Sequence, residues 1–242
     1  MIKKKVFIDP GHGGTDPGAI GANSKESANV LAIALALEKK LIAQGYEVKL
    51  SRRSDVYLTL SQRTKMANDW GADIFISLHD NSAVNKTATG FETFIFNGMA
   101  SHLSTKLQTC LHEAIVKDIG LRDRGMKSAN FAVVRETKMP AALIEYGFIS
   151  NLNDEKIIAN EIEKQAQLTF VGINKFYGVT TDKKEETPVS KEVYEKNAAP
   201  STWAADAVKW AIANSVSDGT YLKRPATREE IITMIYNVQR KK

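Results

Sequence analysis

Residues 74–79 read Ile74-Phe75-Ile76-Ser77-Leu78-His79. Successive side chains of a strand point to opposite faces, so a strand with one solvated face carries a polar residue at every second position. Here only Ser77 interrupts the apolar run. A strand apolar on both sides belongs in the middle of a parallel sheet, where helices cover each face. Upstream, Val6-Phe7-Ile8 reads as a first strand, and a helix is predicted from Ser27 to Gln44, closed by Gly45. Val48 to Leu50 reads as a second strand and Leu60 to Asn68 as a helix. Downstream, Phe91-Glu92-Thr93-Phe94-Ile95-Phe96 partly alternates and suits a more peripheral strand. Phe131 to Val134 and Ala141 to Ile144 are read as further strands, and Glu155 to Tyr177 as one final helix. This alternation predicts an α/β fold: an open, mostly parallel twisted sheet with helices on both faces.

The pattern stops after Tyr177, and three regions are expected. Residues 1–179 form the domain with the sheet. Residues 180–200 are a linker, carrying Asp182-Lys183-Lys184-Glu185-Glu186 with Pro188 and Pro200. Residues 201–242 are a small helical module, with Trp203, Ala207, Val208, Trp210 and Ala211 at helical spacing. There, Thr227-Arg228-Glu229-Glu230 forms a capping-box pattern. Two short helices make a small core, so this module is expected to dock or self-associate.

The chain has 242 residues, 43% hydrophobic and 25% charged, enough to bury a sizeable core. Its formal net charge of +5 gives a mild attraction to polyanions. The charges are interspersed and no basic stripe with interleaved aromatics occurs, which argues against nucleic acid as a partner. Cys110 is the one cysteine and rules out an internal disulfide. It falls in an apolar stripe with Leu103, Leu107, Leu111 and Ala114, so a buried thiol is expected, with His102 and His112 of the same helix at the surface. No run is long enough to insert in a membrane. The lysines after Met1 lead straight into Val6-Phe7-Ile8, so no signal peptide is read and synthesis in the cytoplasm is expected.

Ligands of open parallel sheets bind at the carboxyl ends of the strands. His12 follows the first strand in Asp9-Pro10-Gly11-His12-Gly13-Gly14, His79 ends the apolar run, and Glu145 ends Ala141 to Ile144. Parallel strands would aim all three at one crevice. Glu26 joins them from the first turn of the following helix, where the helix N-terminus favours an ionised carboxylate. His12, Glu26 and His79 make a His₂Glu set suited to a catalytic zinc with an open position for water, leaving Glu145 to shuttle protons. Each piece also has a plainer reading. The glycine-rich turn could cradle a phosphate, a strand-end histidine could be a satisfied polar group, and Glu26 could be a solvated first-turn carboxylate. Glu145 is harder to explain this way, because burying an unpaired carboxylate is costly.

Several stretches resemble the zinc-dependent N-acetylmuramoyl-L-alanine amidases of bacteria and their phages. They are Phe7-Ile8-Asp9-Pro10-Gly11-His12-Gly13-Gly14, Glu26 with Leu31, Ile33 and Ala34, Leu60 to Asn68, Ala72 to Asn81, Asp123-Arg124-Gly125, and Ile144 to Asn151. They run in unbroken order through roughly residues 5 to 177. The resemblance implies one Zn²⁺ held by His12, Glu26 and His79, with Glu145 as catalytic acid/base and Asn81 helping to hold substrate. It also implies hydrolysis of the amide between N-acetylmuramic acid and L-alanine in peptidoglycan. Asp80 departs from the small or amide residue usual beside the second histidine and is expected to face water. The tail resembles a single S-layer-homology repeat, which implies contact with anionic wall polymers. The expected setting is cell-wall lysis after membrane breach, by a phage endolysin or a mother-cell autolysin. The alternatives are an inactive wall-binding protein and a zinc peptidase cutting within the stem peptide.

Overall fold

A computed structural model describes residues 4–179 together with Lys209, Trp210 and Ala213, which are helical. The chain divides into two units, Met1–Thr181 and Asp182–Lys242. The expected linker and nearly all of the expected helical module lie outside the described residues.

The first unit runs β1 (Lys5–Pro10), α1 (Glu26–Gln44), β2 (Glu47–Leu50), α2 (Leu60–Trp70), β3 (Ile74–Asn81) and β4 (Phe91–Phe96). It continues through α3 (His102–Val116), β5 (Asp123–Ala129), α4 (Ala132–Arg135), β6 (Ala141–Phe148), α5 (Leu152–Asn160) and α6 (Ile162–Tyr177). The strands form one sheet in the order β2-β1-β3-β6-β4-β5. β2, β1, β3 and β6 are mutually parallel, β4 runs antiparallel to β6, and β5 is parallel to β4. This is the expected α/β class. From β1 the chain goes to β2 on one side and then returns to β3 on the other, so a switch point lies between β1 and β3.

The strand period of two sorts the core into two layers. Val6 and Ile8, Ile74, Ile76 and Leu78, and Ala142, Ile144 and Tyr146 face the layer of α1, α3 and α6. Phe7, Phe75, Ala141 and Leu143 face the opposite layer, with Ala67 of α2 and Val133 and Val134 of α4. Phe7 and Phe75 stack there with centroids 5.6 Å apart. Each fully buried side chain of this size contributes about 2 kcal/mol of transfer free energy. On the side of α2 and α4, a cleft lined by Asp9, His79, Leu60 and Val133 opens at the carboxyl ends of β1 and β3. Local chemistry fixes the helix ends. Thr59 and Gln62 form a reciprocal capping box at the start of α2, and Gly45, with φ 98°, closes α1 as expected.

Three assignments are corrected. Phe131 to Val134 is not a strand: Ala132–Arg135 is a helical turn, closed by the Arg135 amide on the Phe131 carbonyl at 3.0 Å. Four apolar residues in a row carry no period that separates the two forms. The final helix is two, α5 and α6, broken at Glu161, whose φ of −105° and ψ of 40° leave the helical region. Leu103 is exposed rather than part of the core stripe, although Cys110 is buried as expected. β5, not read from the sequence, is an edge strand of mostly polar residues, where charged side chains are at home.

Candidate metal centre

Beyond Pro10 the chain turns sharply, and His12 takes φ 58°, alone among the described non-glycine residues in having a positive φ. Such a conformation costs an L-residue about 1 kcal/mol or more. Two buried guanidinium groups hold the turn in place. Arg52 donates to the carbonyls of Pro10 (3.0 Å), Gly11 (2.7 Å) and Ser27 (2.8 Å). Arg63 donates to the carbonyls of Pro10 (2.8 Å) and His12 (2.7 Å) and to Asp9 Oδ1 (2.9 Å). Asp9, fully buried, also accepts from the hydroxyls of Ser51 (2.6 Å) and Ser77 (3.0 Å). Gly11 admits no side chain: a Cβ there would lie 2.2 Å from His79 Cε1.

The turn brings His12 against Glu26 and His79. His12 Nδ1 lies 2.8 Å from Asp16 Oδ2, so Nε2 faces Glu26 Oε1 at 3.1 Å. His79 Nδ1 meets the same oxygen at 2.8 Å, and the Asp80 amide donates to it at 3.1 Å. The Ala19 amide holds Oε2 at 2.8 Å. The imidazole rings stand edge to face, 5.0 Å apart, and one donor atom from each of the three residues lies within 4.8 Å of the others. Burial alone would raise the Glu26 carboxyl, but hydrogen bonds from His12 and His79 hold it well below the usual carboxylate range. His12 is raised: its burial is outweighed by Glu26 and Asp16.

Glu145 stands beside this cluster. It is registered with His79 across β3 and β6, and with Glu92 across β6 and β4. It shares the strand parity of Phe75 and Leu143, and so the open face. Its Oε2 is buried with no hydrogen-bond partner among the described residues. Burial, with Glu26, Asp80 and Glu92 nearby, pushes its carboxyl well above the ordinary value. Glu145 is thus a half-buried acid with one buried, unpartnered oxygen next to a cluster of ligand-type side chains, an arrangement that costs folding energy and is typical of functional carboxyls.

The other candidates part company. Asn81, the last residue of β3, donates to Glu92 Oε1 at 2.7 Å. Asp80 does not face water. One residue past His79, it turns to the α1 face, accepts from Asn29 Nδ2 at 3.0 Å, and is 2% exposed. Burial, aided by Glu26 and opposed by Asn29, pushes its carboxyl up to about 8. His112 is likewise buried, between Thr93 Oγ1 and Asp123 Oδ1, each at 3.0 Å. The buried stripe of α3 is wider than the apolar residues alone suggested, taking in Ser104, Gln108 and His112. His102 is exposed, as expected.

In front of the cluster lies a cleft of about 370 Å³, walled by His12, His79, Tyr57, Leu60 and Phe131 among others. Sequence reading missed Asp9, Asp16, Arg52 and Arg63, whose roles lie in positioning the ligand-type residues. Arg63 offered the one signal, a charged residue on the inner side of a helix otherwise marked by Thr64 and Ala67.

An oxygen facing two imidazole nitrogens must be bridged by a proton or a cation. Two imidazoles and a carboxylate, with Asp16 and the Ala19 amide orienting them, match the donor preferences of zinc.

Comparison with known proteins is in keeping with this geometry. The sequence model of the N-acetylmuramoyl-L-alanine amidase family matches residues 6–175. The N-acetylmuramoyl-L-alanine amidase CwlM of Bacillus licheniformis is 48% identical over 152 residues, covering 62% of this chain and 58% of that protein. The sporulation-specific N-acetylmuramoyl-L-alanine amidase of Bacillus subtilis (strain 168) is 46% identical over 152 residues, with the same coverage. The chain thus spans rather more than half the length of these two relatives. Among solved structures, the N-acetylmuramoyl-L-alanine amidase of Clostridium difficile 630 superimposes with a TM-score of 0.70 at 38% identity. That match covers 74% of this chain and 98% of the other.

Proposed function

The chain belongs to the N-acetylmuramoyl-L-alanine amidase family, and on that premise we propose that it hydrolyses the amide joining N-acetylmuramic acid to L-alanine in peptidoglycan, with zinc held by His12, Glu26 and His79. The observation that carries this reading is the register of Glu145 with His79, which sets an unpartnered acid beside three converging ligand-type side chains. Zinc bound there supplies Lewis-acid polarisation of the amide carbonyl and of the attacking water. Glu145 accepts the proton from that water and passes it to the departing alanine nitrogen. To accept a proton it must be ionised. Burial opposes its ionisation first, and the charges of Glu26, Asp80 and Glu92 add to it; a dication held by Glu26 would offset the first of those charges. Asp16 fixes the His12 tautomer, leaving Nε2 to act as ligand.

The test is digestion of purified peptidoglycan. The expected products carry new free L-alanine amino termini with no new reducing ends, and a chelator stops their formation. New termini on any other residue would assign the cut to the stem peptide instead, and no cleavage at all would leave a wall-binding protein. We read the segment 201–242 as an anchor for anionic wall polymers, on its resemblance to an S-layer-homology repeat. A truncation ending near residue 180 should keep activity on soluble muropeptides and lose retention on whole walls. Equal retention would remove the anchor.

A further inference from the structure

On the open face of the sheet, the row of side chains that starts at His79 does not end at Glu145. Glu92 stands opposite Glu145 on the antiparallel neighbour β4. Its Oε2 accepts from Arg124 Nε at 2.7 Å and from Lys127 Nζ, both on β5. Arg124 and Lys127 are three residues apart, so a regular strand would send them to opposite faces. The register shows why they share one. Between the pairs Phe91↔Asp123 and Thr93↔Met126, β5 carries one more residue than β4. Gly125, with φ 85°, absorbs that bulge. The bulge is pinned at its base, where Asp123 Oδ1 accepts from the Gly125 amide at 2.7 Å and contacts His112 Nε2 at 3.0 Å. Bulges re-aim side chains, and this one gathers two cations beside the proposed acid/base.

The cations are more than Glu92 needs. Glu92 is buried, while the Arg124 and Lys127 side chains are 30% and 35% exposed. One carboxylate between two cations leaves a surplus positive charge. Arg124 uses Nε on Glu92 and Nη1, at 3.4 Å, on the Thr89 carbonyl. Nη2 has no partner among the described residues. The guanidinium carbon also lies over the Phe148 ring, 4.7 Å from its centroid.

We propose that Arg124 and Lys127 form an anion subsite that takes the free α-carboxylate on the second residue of the peptide being released. This rests on the amidase reading, which puts the scissile bond beside His79 and Glu145. Neighbouring strands are roughly 5 Å apart, so the cations anchored on Glu92 lie roughly one to two strand spacings beyond Glu145. A carboxylate two residues along an extended peptide lies roughly 7 Å from the amide that joins that peptide to the sugar. The spans match. The peptide therefore runs over β6, β4 and β5, away from Tyr57 and Leu60 on the α2 side of the cleft.

The experiment compares two soluble muropeptides, identical except that the second residue carries a free α-carboxylate in one and a carboxamide in the other. The full chain should favour the carboxylate in kcat/KM by about tenfold or more, the scale of a charge-assisted hydrogen bond. Arg124→Gln and Lys127→Gln should each shrink that ratio, and Arg124→Lys should restore part of it. Because Arg124→Gln leaves Glu92 with Lys127 as its one remaining cation and so uses up the surplus charge, the triple variant Glu92→Gln, Arg124→Gln, Lys127→Gln serves as a control without either cation and should show a ratio near one. Equal rates on both substrates in the unaltered protein, or equal losses on both in the variants, would overturn the subsite. Calorimetric binding of the two released peptides separates this from the amidase reading. Tighter retention of the carboxylate form sustains the subsite even if neither amide is cut, and equal retention refutes it.

Discussion

Replacing Glu145 with alanine is expected to lower kcat on peptidoglycan by about 10²–10⁴-fold, the range for removal of a positioned general acid/base. Zinc content should stay near one per chain, because Glu145 is no member of the converging set His12, Glu26 and His79. The same change should leave the melting temperature unchanged or higher. Glu145 Oε2 is buried without a partner, and burial together with three neighbouring carboxylates disfavours its charge. Removing such a group relieves a cost rather than breaking a contact. A residue with a merely structural role behaves in the opposite way, losing stability and activity together. Glu145→Gln keeps the shape and removes the proton chemistry, so it should match the alanine variant in rate. Near-normal turnover in either variant, measured on the same wall preparation, would take Glu145 out of the mechanism.

The parts of this site that could be read from sequence are those attached to strand periodicity. The run Ile74 to Leu78 announces a central strand, and the parallel arrangement it implies sends His12, His79 and Glu145 to one edge, where the structure places them. The same periodicity, carried one residue further, would have put Asp80 inside: position 80 shares the parity of Ile76 and Leu78. The expectation of a water-facing Asp80 ended the strand at the histidine, whereas β3 continues to Asn81. β5 was invisible for a different reason. Asp123-Arg124-Gly125-Met126-Lys127-Ser128-Ala129 has no β-branched residue and carries its extra residue at a glycine, so neither propensity nor alternation marks it. His112 was misplaced because a polar residue on a buried helix face is satisfied by partners from other elements, Thr93 and Asp123, that lie 19 and 11 residues away. Long-range polar pairing of this kind leaves no local pattern. The network of Asp9, Arg52 and Arg63 was hidden in the same way.

That network carries the second large effect. Arg63→Ala is expected to destabilise the protein by about 3–5 kcal/mol, the usual cost of breaking a buried ion pair from one side. Arg63 and Asp9 are 3% and 0% exposed, so solvent cannot replace the lost partner. Asp9 would keep the Ser51 and Ser77 hydroxyls and the attraction of Arg52 but lose its ion-pair partner, and the His12 carbonyl would lose its 2.7 Å donor. The loss should reach the proposed metal site, because His12 sits at φ 58° and its turn is held by Arg52 and Arg63. A turn under strain relaxes when its clamp is removed. Zinc affinity should therefore fall by about 10–100-fold, as when a partner orienting a ligand is lost. Arg63→Lys should recover only part of either property, since one ammonium cannot reach Asp9, Pro10 and His12 in the planar fork geometry. Denaturant titration and competition with a zinc-binding dye read the two effects separately. The pair Asp9→Asn, Arg63→Met removes both charges at once and should regain stability relative to Arg63→Ala without regaining zinc affinity. If the double variant bound zinc as tightly as the unaltered protein, the positive-φ turn would need no clamp, and the positioning role of Arg63 would be withdrawn.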